Sequence, residues 1–128
     1  MSNSKNDVHI HLTWLTQNRA PFLENPEMRK KVLEHIVQNA AYKGIEIVEI
    51  GGINEHLHSL LRLPQTMSIS SLAQLIKGEA TYWINRNFKL PATFEWQAGY
   101  YATGVSLSDI NKIKMYIQNQ EIYHSKDK

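Results

Sequence analysis

Residues 45–64, IEIVEIGGINEHLHSLLRLP, decide the fold. Ile45 to Ile50 forms a compact strand rich in β-branched residues, and Gly51-Gly52 supplies turn chemistry. Ile53 to Leu63 makes a second strand that Pro64 stops. Two strands in immediate succession read as a hairpin. In the second strand alternate side chains share a face, so His56 and His58 point one way and Leu57 into the opposite layer. Two imidazoles side by side suit a divalent ion, but a catalytic ion needs a further protein ligand and an open position. The plainer reading, a strand with two half-exposed histidines, stands beside that one.

Upstream, Val8, Ile10, Leu12 and Trp14 alternate with His9, His11 and Thr13, as in a half-buried strand. Its His-Ile-His is a rival pair for a metal, or simply the polar residues of an open face. After the loop Thr16–Pro21, Asn25-Pro26-Glu27 reads as a helix N-cap, a proline at the first helical position and an acid in the first turn. Met28, Val32, Leu33, Ile36, Val37, Ala40 and Ala41 recur at helical spacing up to Gly44. The run Arg29-Lys30-Lys31 reads as a solvated face.

Downstream, Ser68, Ser70 and Ser71 offer N-caps to a helix with an apolar stripe of Leu72, Leu75, Ile76, Trp83 and Ile84, ending near Asn87. Gly78 inside it costs about 1 kcal/mol against alanine, which points to a close approach by another chain or a nucleic acid, or to a packing contact. The aromatic stretch Phe94 to Gly104 is expected as an irregular fourth strand. Ser106 and Ser108 cap a last helix with Asp109 in its first turn and Ile110, Ile113 and Ile117 on one stripe. Tyr116 and Gln120 lie one turn apart, about 40° around the axis, on the flank of that stripe. Tyr116 reads either as a boundary residue with a wet hydroxyl or, with Gln120, as part of a site.

Strand, helix, strand, strand, helix, strand, helix is an α+β, ferredoxin-like split βαβ order (βαββαβ) with one helix appended. There the first and third strands are central neighbours. If the crossover helices cover the Leu57 face, the other face carries His56, His58 and Arg62, and the appended helix can bring Tyr116 and Gln120 to them. The expected organisation is a single domain over 1–128, with a polar tail at 1–7, a core at 8–105, the last helix at 106–124 and a tail at 125–128.

Composition bounds the function. The 128 residues are 42% apolar, as in ordinary globular proteins. The absence of cysteine excludes disulfides and thiolate metal sites. No apolar run approaches the roughly 20 residues of a membrane span, and Met1-Ser-Asn-Ser-Lys-Asn lacks a signal core, so a cytoplasmic location is expected. A net charge of +2 and a pI near 8.8 permit nucleic-acid binding without arguing for it.

Five pieces together carry a family resemblance: His11-Leu-Thr-Trp-Leu-Thr-Gln-Asn-Arg19, Glu55-His56-Leu57-His58, Leu75-Ile-Lys-Gly78, Phe94-Glu-Trp-Gln-Ala-Gly-Tyr100 and Tyr116-Ile-Gln-Asn-Gln120. From about residue 8 to 124 the chain resembles the single-tyrosine HUH transposases of hairpin-ended insertion sequences, relatives of the REP-associated tyrosine transposases. The resemblance implies that His56, His58 and Gln120 bind a divalent metal, Mg²⁺ or Mn²⁺. It makes Tyr116 the nucleophile that cleaves single-stranded DNA and keeps the 5′-phosphate, freeing a 3′-hydroxyl that later rejoins strands. It also implies DNA hairpins as partners, a prokaryotic homodimer whose tyrosine helix can serve the partner's histidines, and no need for ATP. Arg19, Arg62, Lys77, Arg86 and Lys89 are the expected DNA contacts.

The chain departs from the family in four places. Glu55 stands where aspartate or asparagine is frequent, and Gln17 where a lysine is usual. Tyr123-His124 replaces a pair of histidines, which makes Tyr123 a rival nucleophile, although no glutamine follows it one turn later. Finally, the chain stops at Lys128, where relatives run on, as in a short natural form, a truncation or an inactive relic. The alternatives are an immobile REP-type nuclease, a replication or conjugation initiator, and a hairpin-DNA or RNA-binding module that works without metal.

Overall fold

The computed structural model describes residues 7–120. Strands β1 (His9–Leu15), β2 (Ile47–Gly52), β3 (His56–Arg62) and β4 (Tyr101–Val105) alternate with helices α1 (Pro26–Tyr42), α2 (Ile69–Asn87) and α3 (Ile110–Gln118) in the expected order. The sheet runs β2-β3-β1-β4 with every neighbour antiparallel, the ferredoxin-like arrangement, and β1 and β3 are its central pair.

The starts of α1 and α2 follow their capping residues, whereas α3 begins after Asp109 with no side-chain cap, so Ser106 and Ser108 do not cap it as expected. The Asn25 side chain accepts from the Met28 amide at 3.0 Å, and the Ser68 hydroxyl accepts from the Ser71 amide at 3.0 Å. Ile10, Leu12, Trp14, Leu57 and Leu61 face one side of the sheet and are closed over by Val32, Ile36, Leu72, Ile76 and Ile84 of α1 and α2. Side chains buried this completely contribute about 1.5–3 kcal/mol each. The opposite face carries His9, His11, Thr13, His56, His58, Leu60 and Arg62, and α3 lies across its β2 and β3 side.

Several expectations shift. Gly51 and Gly52 belong to β2, and the hairpin turns instead at Asn54-Glu55, where the Ile53 amide donates to the His56 carbonyl at 3.0 Å. Between Ile47 and Glu49 the register slips by one residue, so Ile47 packs with the core while Glu49 stands on the α3 face. The fourth strand begins only at Tyr101. Phe94 and Trp96 enter the core against Phe22 and Trp14, and the Asn85 side chain satisfies both backbone groups of Phe94, at 2.8 and 3.1 Å. A Cβ on Gly78 would meet nothing within 4 Å, so among the described residues no close approach explains that glycine. The helix expected over 106–124 is a 3-10 turn, Leu107–Asp109, followed by α3; Tyr123 and His124 lie outside the described residues.

Candidate active site

The face of β3 that α3 covers, with the last turn of α3 and Gln120 just beyond it, brings Tyr116, Gln120, His56 and His58 together within one chain. Gln120 is buried, and its amide oxygen lies 3.4 Å from His56 Nε2. Its amide nitrogen donates to the Tyr116 carbonyl at 3.3 Å. That bond fixes the amide's orientation, because a flipped amide would set oxygen against oxygen. On the far side of the ring, His56 Nδ1 lies 3.2 Å from a Glu55 carboxylate oxygen. With Nδ1–H donated to Glu55, His56 Nε2 presents a lone pair toward the Gln120 oxygen. Two acceptors set side by side in this way are drawn together by a shared proton or a metal cation.

His58 is oriented from β1. Its Nδ1 lies 2.9 Å from His11 Nε2 and 3.0 Å from the Thr13 hydroxyl oxygen. With Nδ1 engaged there, coordination by His58 has to use Nε2. Glu55, Thr13 and His11 thus hold the two imidazoles from behind, the placement that sets tautomer and ring direction in metal sites. The Tyr116 ring, 40% exposed, meets His58 edge-on at 5.7 Å between centroids and His11 at 6.1 Å. Among the described residues no trio of His, Cys, Asp or Glu is arranged to hold a metal, so a site here depends on an amide oxygen, a donor type that Mg²⁺ and Mn²⁺ take, beside imidazoles, which suit divalent transition metals. The rival pair therefore makes no second centre among the described residues: His11 supports His58, and His9 lies near Asp7 at 3.7 Å.

Gly51 seats the helix that carries Tyr116. A Cβ there would stand 2.6 Å from the Ile117 carbonyl oxygen and 3.0 Å from an Ile117 methyl carbon, so only glycine lets α3 lie this close to β2. Gln118 adds a bond to Glu49 at 2.9 Å. Gly51→Ala is expected to cost about 1–3 kcal/mol, read as a lowered melting temperature. The displaced α3 should also slow any chemistry at Tyr116; an unchanged melting temperature would contradict this seating.

Burial lowers the His11 pKa below its ordinary 6.5. Between that lowered value and 6.5 the unfolded chain binds more protons than the folded one, so stability present above 6.5 is lost as pH falls through this window. Thermal melts from about pH 7.5 to about pH 5.5 should show this fall, and His11→Asn should make it shallower.

The expected DNA contacts are dispersed. Arg19 follows the end of β1 beside the histidines: Leu15 pairs with His56, and the Thr16 amide donates to the Glu55 carbonyl at 2.8 Å. Arg62 shares the histidine face, four residues and about 13 Å along β3 from His58, with Asp7 at 3.8 Å. Arg86 lies over the Tyr82 ring at 5.3 Å, on a helix packed against the other face, and Lys89 follows that helix. Lys77 is committed elsewhere: its ammonium donates to the Gln97 and Gly99 carbonyls at 3.0 and 2.7 Å, and burial lowers its pKa. That geometry makes it a loop clamp. No helix among the described residues is long and apolar enough to cross a membrane.

The model of the family described as "Transposase IS200 like" matches residues 4–120. The transposases for insertion sequence element IS200 of Salmonella typhimurium (strain LT2) and Salmonella typhi are each 29% identical over 99 residues, 73% of this chain. The chain spans 64% of the length of these curated relatives. A solved candidate transposase from Deinococcus radiodurans R1 superposes with a TM-score of 0.74 at 23% identity, covering 94% of this chain and 95% of that one. A REP-associated tyrosine transposase bound to a REP hairpin superposes with a TM-score of 0.68 at 20% identity, over 97% of this chain and 74% of that one. These likenesses show the fold.

Proposed function

The chain belongs to the IS200-like transposase family, and from that premise we propose that it cleaves and rejoins single-stranded DNA at hairpin-bearing insertion-sequence ends through a link between Tyr116 and a 5′-phosphate. One observation carries the reading: the only tyrosine of α3 stands against His58, one helical turn from the glutamine whose oxygen faces His56. His56, His58 and Gln120 would hold a divalent ion, Mg²⁺ or Mn²⁺. When bound, it draws charge from a non-bridging phosphate oxygen and stabilises the transition state.

The remaining steps belong to the protein's own groups. A phenol with a pKa near 10 is a weak nucleophile at neutral pH and must give up its proton as its oxygen attacks phosphorus. The tyrosine O–P bond forms while the bond from phosphorus to the 3′-oxygen breaks, leaving a free 3′-hydroxyl. One phosphodiester replaces another, so no ATP is consumed, and attack by a 3′-hydroxyl on the phosphotyrosine rejoins a strand. The exposed Tyr116 ring suits a strand arriving from solvent.

The proposed setting is one domain acting as a prokaryotic, cytoplasmic homodimer. The contact of Tyr116 with His58 of its own chain supports a site built within one chain, with service to the partner's histidines as the alternative. Hairpin DNA as partner is supported by the hairpin bound to the REP-associated relative, and the insertion-sequence type is favoured over the REP type by the curated IS200 transposases.

The test is incubation with Mg²⁺ or Mn²⁺ and single-stranded oligonucleotides spanning the flanking element ends, followed by denaturing electrophoresis. A protein–DNA adduct abolished by a chelator is expected. Binding without an adduct, insensitive to the chelator, would replace this reading with a binding module.

A further inference from the structure

Cross-strand pairing sets Gly51, His58, Thr13 and Tyr101 side by side across all four strands. Directly paired residues in antiparallel strands project to the same face. Tyr101 therefore stands on the histidine face, two strand spacings or about 10 Å from His58. Because α3 lies across β2 and β3, the β4 end of this row is open, and Tyr101 is 71% exposed there beside a 41% exposed Tyr100.

The backbone before Tyr101 is held in a defined bulge. Trp96 bridges to Thr16 and Tyr101 pairs with Thr13, so residues 97–100 occupy the place that Trp14 and Leu15 occupy in β1. Gly99 takes a φ of 88°, which favours glycine, and the two bonds from Lys77 fix the carbonyls on either side of Ala98. A cavity of about 280 Å³ lies at the bulge, lined in part by Thr13, Gln97, Tyr100 and Tyr101. An exposed ring on a clamped edge, in one cross-strand row with the proposed metal ligand His58, suits the way single strands are held through their bases.

We propose that Tyr101 is a stacking platform for a nucleobase of the single strand, a few nucleotides from the phosphate at His58 and Tyr116, with the Lys77-clamped bulge as its support. This rests on the function proposed above and adds what grips the strand beside the reacting phosphate.

The experiment compares two ligands of equal length on a Tyr116→Phe background, which removes cleavage: a mixed-sequence single-stranded oligonucleotide and an abasic deoxyribose-phosphate strand. Tyr101→Ala and Tyr101→Leu are expected to weaken binding of the base-bearing strand about tenfold, to leave the abasic strand unaffected, and to lose nothing when the change is Tyr101→Phe. Tyr101→Leu keeps a bulky apolar side chain without an aromatic face and guards against a merely misfolded edge. Unchanged binding of the base-bearing strand, or equal loss on both strands, overturns the platform. A changed oligomeric state without base dependence also overturns it and gives the ring to a contact between copies. If wild-type protein forms no adduct yet the base-dependent loss is present, the phosphotyrosine reading fails and the platform stands.

Discussion

Tyr116→Phe is expected to abolish adduct formation, a loss on the order of 10⁴-fold or more, because a phenyl ring offers no oxygen to phosphorus. The ring itself is partly exposed and meets His58 and His11 at steep angles, and phenylalanine keeps that ring, so the melting temperature should hold and DNA affinity should stay near wild type. This contrast between lost chemistry and kept binding separates a nucleophile from a packing residue. Undiminished adduct in Tyr116→Phe would move the chemistry to another residue, Tyr123 first.

His56→Ala should be nearly as severe. It removes the nitrogen that faces the buried Gln120 amide oxygen and, with it, one of the proposed metal ligands. Mn²⁺ titration by calorimetry should show more than a hundredfold loss of affinity, and the adduct should become undetectable. Glu55→Ala and His11→Ala, which act through the imidazoles they hold, should each cost about 10–100-fold in Mn²⁺ affinity while keeping measurable activity at high metal. An Mn²⁺ affinity indifferent to His56 would detach the metal from this site.

The fold was legible because its signals are local. Alternation in 8–14, helical spacing from Met28 to Ala41 and two strands in succession at 45–63 fix an element order that few topologies satisfy. The faces followed from the same alternation, which is why His56, His58 and Tyr116 could be placed toward one another before any coordinates. The roles proposed for them rest on family resemblance, since a His-x-His on a strand is compatible with plain surface polarity.

What escaped depends on contacts distant in sequence. Gly51 reads as a turn residue, and only the approach of Ile117 reveals why a side chain is excluded. The hydrogen bond between His11 and His58 needs the β1–β3 register, which alternation does not supply. That a helical lysine also holds two carbonyls, 20 and 22 residues onward, shows only in the structure. Phe94 and Trp96 have strand-like side chains, but the core claimed them once Asn85 could satisfy the backbone.

The most direct test of the central claim is to locate the bond itself. Adduct formed by wild-type protein, trimmed with nuclease and digested with trypsin, places both Tyr116 and Tyr123 on one peptide, residues 115–126, which fragmentation in a mass spectrometer resolves. A nucleotide phosphate on Tyr116 is the expected result. The same mass on Tyr123, or on any residue outside this peptide, would contradict the site assembled from Tyr116, His56, His58 and Gln120.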